Sequence, residues 1–76
     1  MNIKALRKAH SERPFQPFDL HVADGRVIPV PHPEFLAEFP GGRAVIVTHE
    51  DFSWDVIDLL PVTSIHVQRN GRSSKS

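Results

Sequence analysis

The sequence predicts a mostly β protein with one N-terminal helix, folded as a five-stranded, strongly bent antiparallel sheet or small open barrel. Three observations lead to this prediction. A helical pattern of apolar residues occupies only the first dozen positions, short alternating segments follow it, and glycine or proline separates most of these segments. A chain of 76 residues is too small to arrange five strands as a sandwich, so a bent sheet or small open barrel is the natural packing.

The predicted organisation is one small domain, residues 1–67, followed by a disordered basic tail, residues 68–76. The tail carries no apolar side chain, which is typical of disorder. A chain of this length buries only about 60% of its unfolded surface, and without cysteine it can form neither disulfides nor a thiolate zinc site. We therefore expect a homo-oligomer, because association is the remaining common source of stability.

The first element is predicted to be a helix over residues 2–12, capped by Asn2. Pro14 disfavours helix at the preceding residue, so the helix must end there or just before. Ile3 and Leu6 share one side, and a helix this short must dock through them because it is unstable alone. The opposite side carries three cations, which are Lys4, Arg7 and Lys8.

The segment from Phe18 to Val30 is predicted to be a hairpin closed by a two-residue Asp24-Gly25 turn. This turn would place Val22 opposite Val27 and His21 opposite Ile28. Prolines 29, 31 and 33 predict that the second strand lies at a sheet edge or that its donor side is free at these residues. The apolar face would contain Phe18, Leu20, Val22 and Val27, and the polar face Asp19, His21 and Arg26.

The remaining strands follow at short intervals. Residues 34–39 favour a strand before a Pro40-Gly41-Gly42 turn, although the same pattern allows one helical turn. Residues 43–48 are apolar on both faces, which predicts a central strand. Residues 52–59 alternate between apolar and polar side chains, which predicts a strand. Pro61 ends that strand, and residues 62–67 supply a short last one.

Residues 14–67 contain the pattern PFxPFxLxxADGRxxxVxHPEFLAxxPxGRxVxV, followed by IDLLxVxxI. With this pattern, most of the segment resembles a family of small bacterial proteins that has no assigned activity. The order of elements is similar to that of Sm-like proteins. This resemblance implies a bent five-stranded barrel, rings formed through the two final strands, and RNA binding by loops on the ring. Pro31 to Glu34 and His49 to Phe52 do not match the RNA-binding loop motifs of that group.

The charge distribution carries the one positive indication of a ligand. The net charge is zero, yet residues 1–13 carry +3, residues 14–61 carry −6 and residues 62–76 carry +3. In a ring, each copy would add its basic residues to one surface, where weak phosphate contacts accumulate. The candidate nucleic-acid-binding residues are Lys4, Arg7, Lys8, Arg69 and Arg72, with Lys75 beyond them.

No motif predicts catalysis, a cofactor or a metal. The five histidines (10, 21, 32, 49 and 66) include no pair at i, i+2 or i, i+4, and no serine lies in a G-x-S-x-G context. A metal site assembled in space from His21, which lies beside Asp19, together with His49, Glu50 and Asp51 stays open as an alternative, as does a histidine-dependent enzyme. Asp58 is predicted to accept hydrogen bonds from amides of the turn that follows it.

The sequence thus predicts a non-enzymatic binding or assembly module that associates with itself. The alternatives are an Sm-like ring that binds RNA through the basic helix face and tail, and a small metal- or histidine-dependent enzyme. No small-molecule substrate is indicated. No apolar run is long enough to span a membrane and no secretory signal is recognisable, so we expect a cytoplasmic protein without a membrane partner.

Overall fold

A computed structural model describes residues 1–68 of the chain. One helix, α1, is followed by six strands, and one 3₁₀ turn separates the second strand from the third. The elements are α1 (Ile3–Ser11), β1 (Phe18–Val22), β2 (Val27–Val30), the 3₁₀ turn (Pro33–Phe35), β3 (Leu36–Glu38), β4 (Ala44–Thr48), β5 (Trp54–Asp58) and β6 (Val62–Val67).

The strands form two three-stranded antiparallel sheets, in the orders β2-β1-β6 and β3-β4-β5. The mostly β fold with one N-terminal helix is confirmed, whereas the single five-stranded sheet is wrong. The division falls at the 3₁₀ turn, which begins with Pro33 and separates β2 from β3. Pro31 and Pro33 have no backbone N–H to donate to a continuous ladder, so the chain turns there.

One apolar core joins both sheets and the helix. The buried strand residues alternate along β1 (Phe18, Leu20, Val22), and Ile28 and Val30 continue them on β2. The second sheet contributes Leu36, Val45, Val47 and Ile57, and Leu59 and Val62 complete the cluster. β4 is central in its sheet, as predicted, because both neighbouring strands pair with it.

The helix docks on this core as its sequence predicts. Leu6 is 0% exposed, and Ile3 and Ala9 pack partly buried against the cluster. Asn2 caps the helix, because its side-chain oxygen accepts a hydrogen bond from the Lys4 amide at 2.8 Å. A hydrogen bond of 2.7 Å between the His10 Nε2 atom and the Pro33 carbonyl ties the last turn of the helix to the 3₁₀ turn.

The predicted register of the first hairpin is wrong by one residue. Leu20 pairs with Ile28 and His21 pairs with Val27. The Gly25 amide donates to Val22 O and the Val22 amide donates to Arg26 O, each at 2.9 Å, so the loop has three residues with Gly25 at φ 98°. A slip of one residue exchanges the two faces of a strand, which is why Ile28 is buried and Val27 is 49% exposed.

Three other segments refine the predictions. Residues 34–39 divide between the 3₁₀ turn and β3, so both readings of that segment hold in part. β5 begins at Trp54 because Phe52, at φ 72°, belongs to the preceding turn. Gln68 was predicted to begin the disordered tail, but its amide donates to Pro17 O at 2.8 Å. The rest of the predicted tail, residues 69–76, lies outside the described residues.

Candidate functional site

The edges of the two sheets differ in how they are protected. The edge at β2 is blocked by proline. The β1 register and the Val22 bond to Arg26 direct the backbone groups of Ile28 and Val30 towards β1. The backbone groups of Val27 and Pro29 therefore point away from β1, and Pro29 has no N–H to donate. This placement confirms that β2 is an edge strand and shows how Pro29 hinders pairing with another strand.

The edge at β3 is short and lies beside the helix. β3 has three residues, and Arg7 holds its last residue, Glu38, through two side-chain nitrogens at 3.0 and 3.1 Å. These hydrogen bonds from Arg7 hold the pKa of the Glu38 carboxyl below its usual value. The ion pair therefore uses one of the predicted nucleic-acid-binding cations to position the helix against this edge.

The edge at β5 carries no proline and is lined by apolar side chains. The His49 amide donates to Ser53 O and the Leu59 amide donates to Arg43 O, each at 2.9 Å, which fixes the alternation of the ladder. Asp55 and Ile57 then face β4, whereas the N–H and C=O groups of Trp54 and Val56 point away from it. Among residues 1–68, no strand lies on that side of β5.

The edge at β6 has the same open character. The Gln68 amide bond to Pro17 and the β1 register direct Ser64 and His66 towards β1. The backbone groups of Ile65 and Val67 consequently point outward. Their side chains lie opposite the buried Leu20 and Phe18, so they sit at the rim of the core.

An apolar surface extends from the open edge of β5 across the outer face of its sheet. Ala37, Ile46 and Val56 form one row across the three strands, and Trp54 stands beside it at 61% exposure. Phe52, at 91% exposure, extends the apolar surface into the β4–β5 turn. A contiguous exposed apolar surface on a small chain is typical of an interaction site.

The predicted basic residues are only partly assembled into one surface. Lys4, Arg7 and Lys8 are exposed on α1, but Arg7 binds Glu38 and the Lys8 ammonium lies 3.8 Å from the Glu12 carboxylate. Lys4 belongs to the same exposed helix face. Arg69, Arg72 and Lys75 lie outside the described residues, so the structure does not place them relative to the helix.

His49 is bound to Asp55 and not to Glu50 or Asp51, its neighbours in the sequence. Its Nε2 atom lies 2.8 Å from the Asp55 carboxylate. Hydrogen bonds from Ser53 engage Asp51 and lower the pKa of its carboxyl. Within residues 1–68, no three His, Cys, Asp or Glu side chains are grouped so as to hold a metal ion. The predicted alternative of His49, Glu50 and Asp51 is therefore not assembled as a metal site.

A shallow cleft of about 290 Å³ lies beside the His49–Asp55 pair, with His49 in its lining. It is lined by Pro29, Pro31, Phe35, Thr48, His49 and Glu50. Sequence spacing missed the His49–Asp55 contact because the two residues meet only after the chain reverses between β4 and β5. The Asp58 prediction is confirmed, since its carboxylate accepts a hydrogen bond from the Leu60 amide at 2.9 Å.

Comparisons with known proteins do not assign this site. No helix within residues 1–68 has the length and apolar character needed to cross a membrane. No protein-family model, no curated protein and no solved structure matches the chain. The geometry of the two open edges is therefore the strongest indication of function.

Proposed function

We propose that this chain is a non-enzymatic assembly module that associates head to tail, with β5 of one copy pairing with β6 of the next. The observation that carries the proposal is the contrast between edges. Proline blocks β2, whereas β5 and β6 offer outward backbone groups and apolar side chains. Natural proteins usually protect such edges, so two unprotected ones indicate surfaces intended for pairing.

The two open edges are complementary in one antiparallel register. Pairing Val56 with Ile65 of the next copy also pairs Trp54 with Val67, because the strands run in opposite directions. All four residues direct their backbone groups outward, so each pair can exchange two hydrogen bonds. Directly paired residues share a face, so the exposed Val56 and Trp54 would cover the rim of the neighbouring core.

This pairing is heterologous, because it joins two different edges. A heterologous contact leaves one β5 edge and one β6 edge free at the ends until a ring closes, and otherwise grows into a filament. The resemblance of element order to Sm-like proteins favours the ring, since their rings form through the two final strands. In this chain β5 and β6 are the last two strands of the described residues.

The native mass in solution tests this proposal. Multi-angle light scattering of the full chain at micromolar concentration and moderate salt should give a mass of several subunits. Dilution should shift the mass towards the monomer of 8.6 kDa. A monomer at every concentration that stays soluble would overturn the proposal.

A second candidate is an Sm-like ring that binds RNA. Its support is the exposure of Lys4 and Lys8 on one helix face, which ring formation would repeat around one surface. Pairing of Arg7 with Glu38 lowers the charge available to phosphate. Binding of a short single-stranded RNA by the wild type should weaken steeply with added salt, and Lys4→Glu together with Lys8→Glu should abolish it.

The matched control for RNA binding is Arg26→Glu, because Arg26 is an exposed cation in the first hairpin, outside the helix, and pairs with Asp24 at 2.9 Å. It should leave RNA binding unchanged if the helix face is the site. Absence of binding at low salt would dispose of this second candidate without affecting the assembly proposal.

A further inference from the structure

Two histidines that are distant in the chain meet on the outer face of the first sheet. His21 lies on β1 and His66 on β6, and the register sets Asp19 directly opposite His66. The side chains of Asp19 and His21 alternate with the buried residues of β1, so this face is turned to solvent. The imidazole centroids are 6.3 Å apart, with the ring planes at 74°.

The imidazoles of this pair are available for a ligand. In the described part of the chain, His10 and His49 use a ring nitrogen to bind Pro33 O and Asp55, whereas neither His21 nor His66 has a hydrogen-bonded ring nitrogen. Both oxygens of Asp19 lie 3.3 Å from the Gln68 side-chain nitrogen, so the carboxylate opposite His66 is already engaged.

We propose that His21 and His66 form a two-imidazole binding site for a divalent first-row transition metal such as Zn²⁺ or Ni²⁺. Metal–nitrogen bonds of about 2.0–2.1 Å hold two coordinating rings with centroids about 4.5–5.5 Å apart. The observed separation is 6.3 Å, so side-chain rotations that bring the rings about 1 Å closer place both nitrogens on one ion. Imidazole is a preferred ligand of these metals, and water fills the remaining positions.

A metal at this position links β1 to β6. His66 directs its backbone groups towards β1, so the ion does not use the outward backbone groups of β6. Both ligands belong to one chain, so the site does not require the proposed assembly, in which His66 would lie opposite Asp55 of the next copy. Because the two ligands come together only in the folded chain, binding must stabilise the fold by mass action. With two protein ligands, we expect a weak, exchangeable site.

Isothermal titration of the full chain with ZnCl₂ at neutral pH tests the site, with thermal unfolding as a second readout. The wild type should bind about one ion per chain and unfold at a higher temperature with Zn²⁺ present. His21→Gln and His66→Gln should each weaken binding at least about tenfold and remove the thermal shift. Both positions are at least partly exposed, so circular dichroism should show unchanged folding.

The matched control is His32→Gln, because His32 is an exposed histidine whose ring lies 5.6 Å from that of Phe35 and not beside another histidine. It should bind Zn²⁺ as the wild type does. Either of two results would overturn the proposal: no binding by the wild type at millimolar Zn²⁺, or binding that both His21→Gln and His66→Gln leave unchanged.

Discussion

Val56 and Val27 are exposed to nearly the same extent, 50% and 49%, on two sheet edges of opposite character. Both belong to edge strands and both direct their backbone groups outward. Val27 lies two residues before Pro29, on an edge that cannot extend the sheet. Val56 lies two residues after Trp54 in β5, on an edge that contains no proline.

Replacing Val56 by lysine should dissociate the assembly, whereas the same change at Val27 should not. In the proposed pairing a lysine at position 56 would be placed against the rim of an apolar core, where an unpaired charge is costly. Light scattering should therefore give a monomer for Val56→Lys and the wild-type mass for Val27→Lys. Equal effects of the two changes would show that the β5 edge has no special role.

Docking of the helix is expected to depend on the side chain of Leu6. Leu6 is fully buried, and nine helical residues are too few to be stable without docking. Leu6→Ala should lower the free energy of unfolding by about 2–5 kcal/mol in denaturant titration. Lys4→Ala on the exposed side of the same helix should change it by less than about 0.5 kcal/mol. Similar losses in both variants would contradict this account of helix docking.

The Arg7–Glu38 pair should make the fold sensitive to acid. The pKa of Glu38 is lowered from its ordinary value of 4.5 by the hydrogen bonds from Arg7. A lowered carboxyl pKa contributes stability above the unfolded-state value, and this contribution is lost as pH falls through the folded-state pKa. In Glu38→Gln, the unfolding temperature should therefore fall less steeply below about pH 4.5 than it does in the wild type, measured by thermal unfolding between pH 3 and 7.

The partner variant provides the control for that pH dependence. Arg7→Gln removes the hydrogen bonds that lower the Glu38 pKa, so it should flatten the same part of the profile. Adding Glu38→Gln to Arg7→Gln should then change the profile little, because both variants remove one interaction. A wild-type slope that persists in Arg7→Gln would show that another carboxylate causes it.

Local signals in the sequence were sufficient for several elements. The bounds of β6, the Asn2 cap and the Asp58 turn follow from residues that act on their immediate neighbours. The edge position of β2 follows from the missing N–H groups of Pro29 within the strand and of Pro31 and Pro33 after it. Such features are predictable because the chemistry of one residue decides them, whatever the rest of the chain does.

The hairpin register could not be decided in the same way. An Asp-Gly pair suits both a two-residue turn and a three-residue loop, because both require a positive φ at glycine. The observed loop also uses Asp24, whose carboxylate accepts a hydrogen bond from the Arg26 amide at 3.0 Å. Burial of Ile28 instead of Val27 follows from this choice, which packing of the whole core determines.

Contacts between distant residues were also beyond the sequence. His49 meets Asp55 across a turn, and His21 meets His66 between the first and last strands. Neither pair has a spacing that indicates a shared site, because strand pairing and not local periodicity brings them together. The open edges of β5 and β6 likewise became visible only when the neighbours of each strand were known.

Disulfide trapping tests the β5–β6 pairing most directly, since the chain has no cysteine of its own. Val56→Cys protein would be mixed with Ile65→Cys protein under mild oxidation, and the products identified by mass spectrometry. Antiparallel hydrogen-bonded pairs have Cα atoms about 5.5 Å apart, within the range that a disulfide spans. We predict a disulfide that joins the two different variants, and little disulfide between Val27→Cys and Ile65→Cys. Equal trapping in both mixtures, or none in the first, would contradict it.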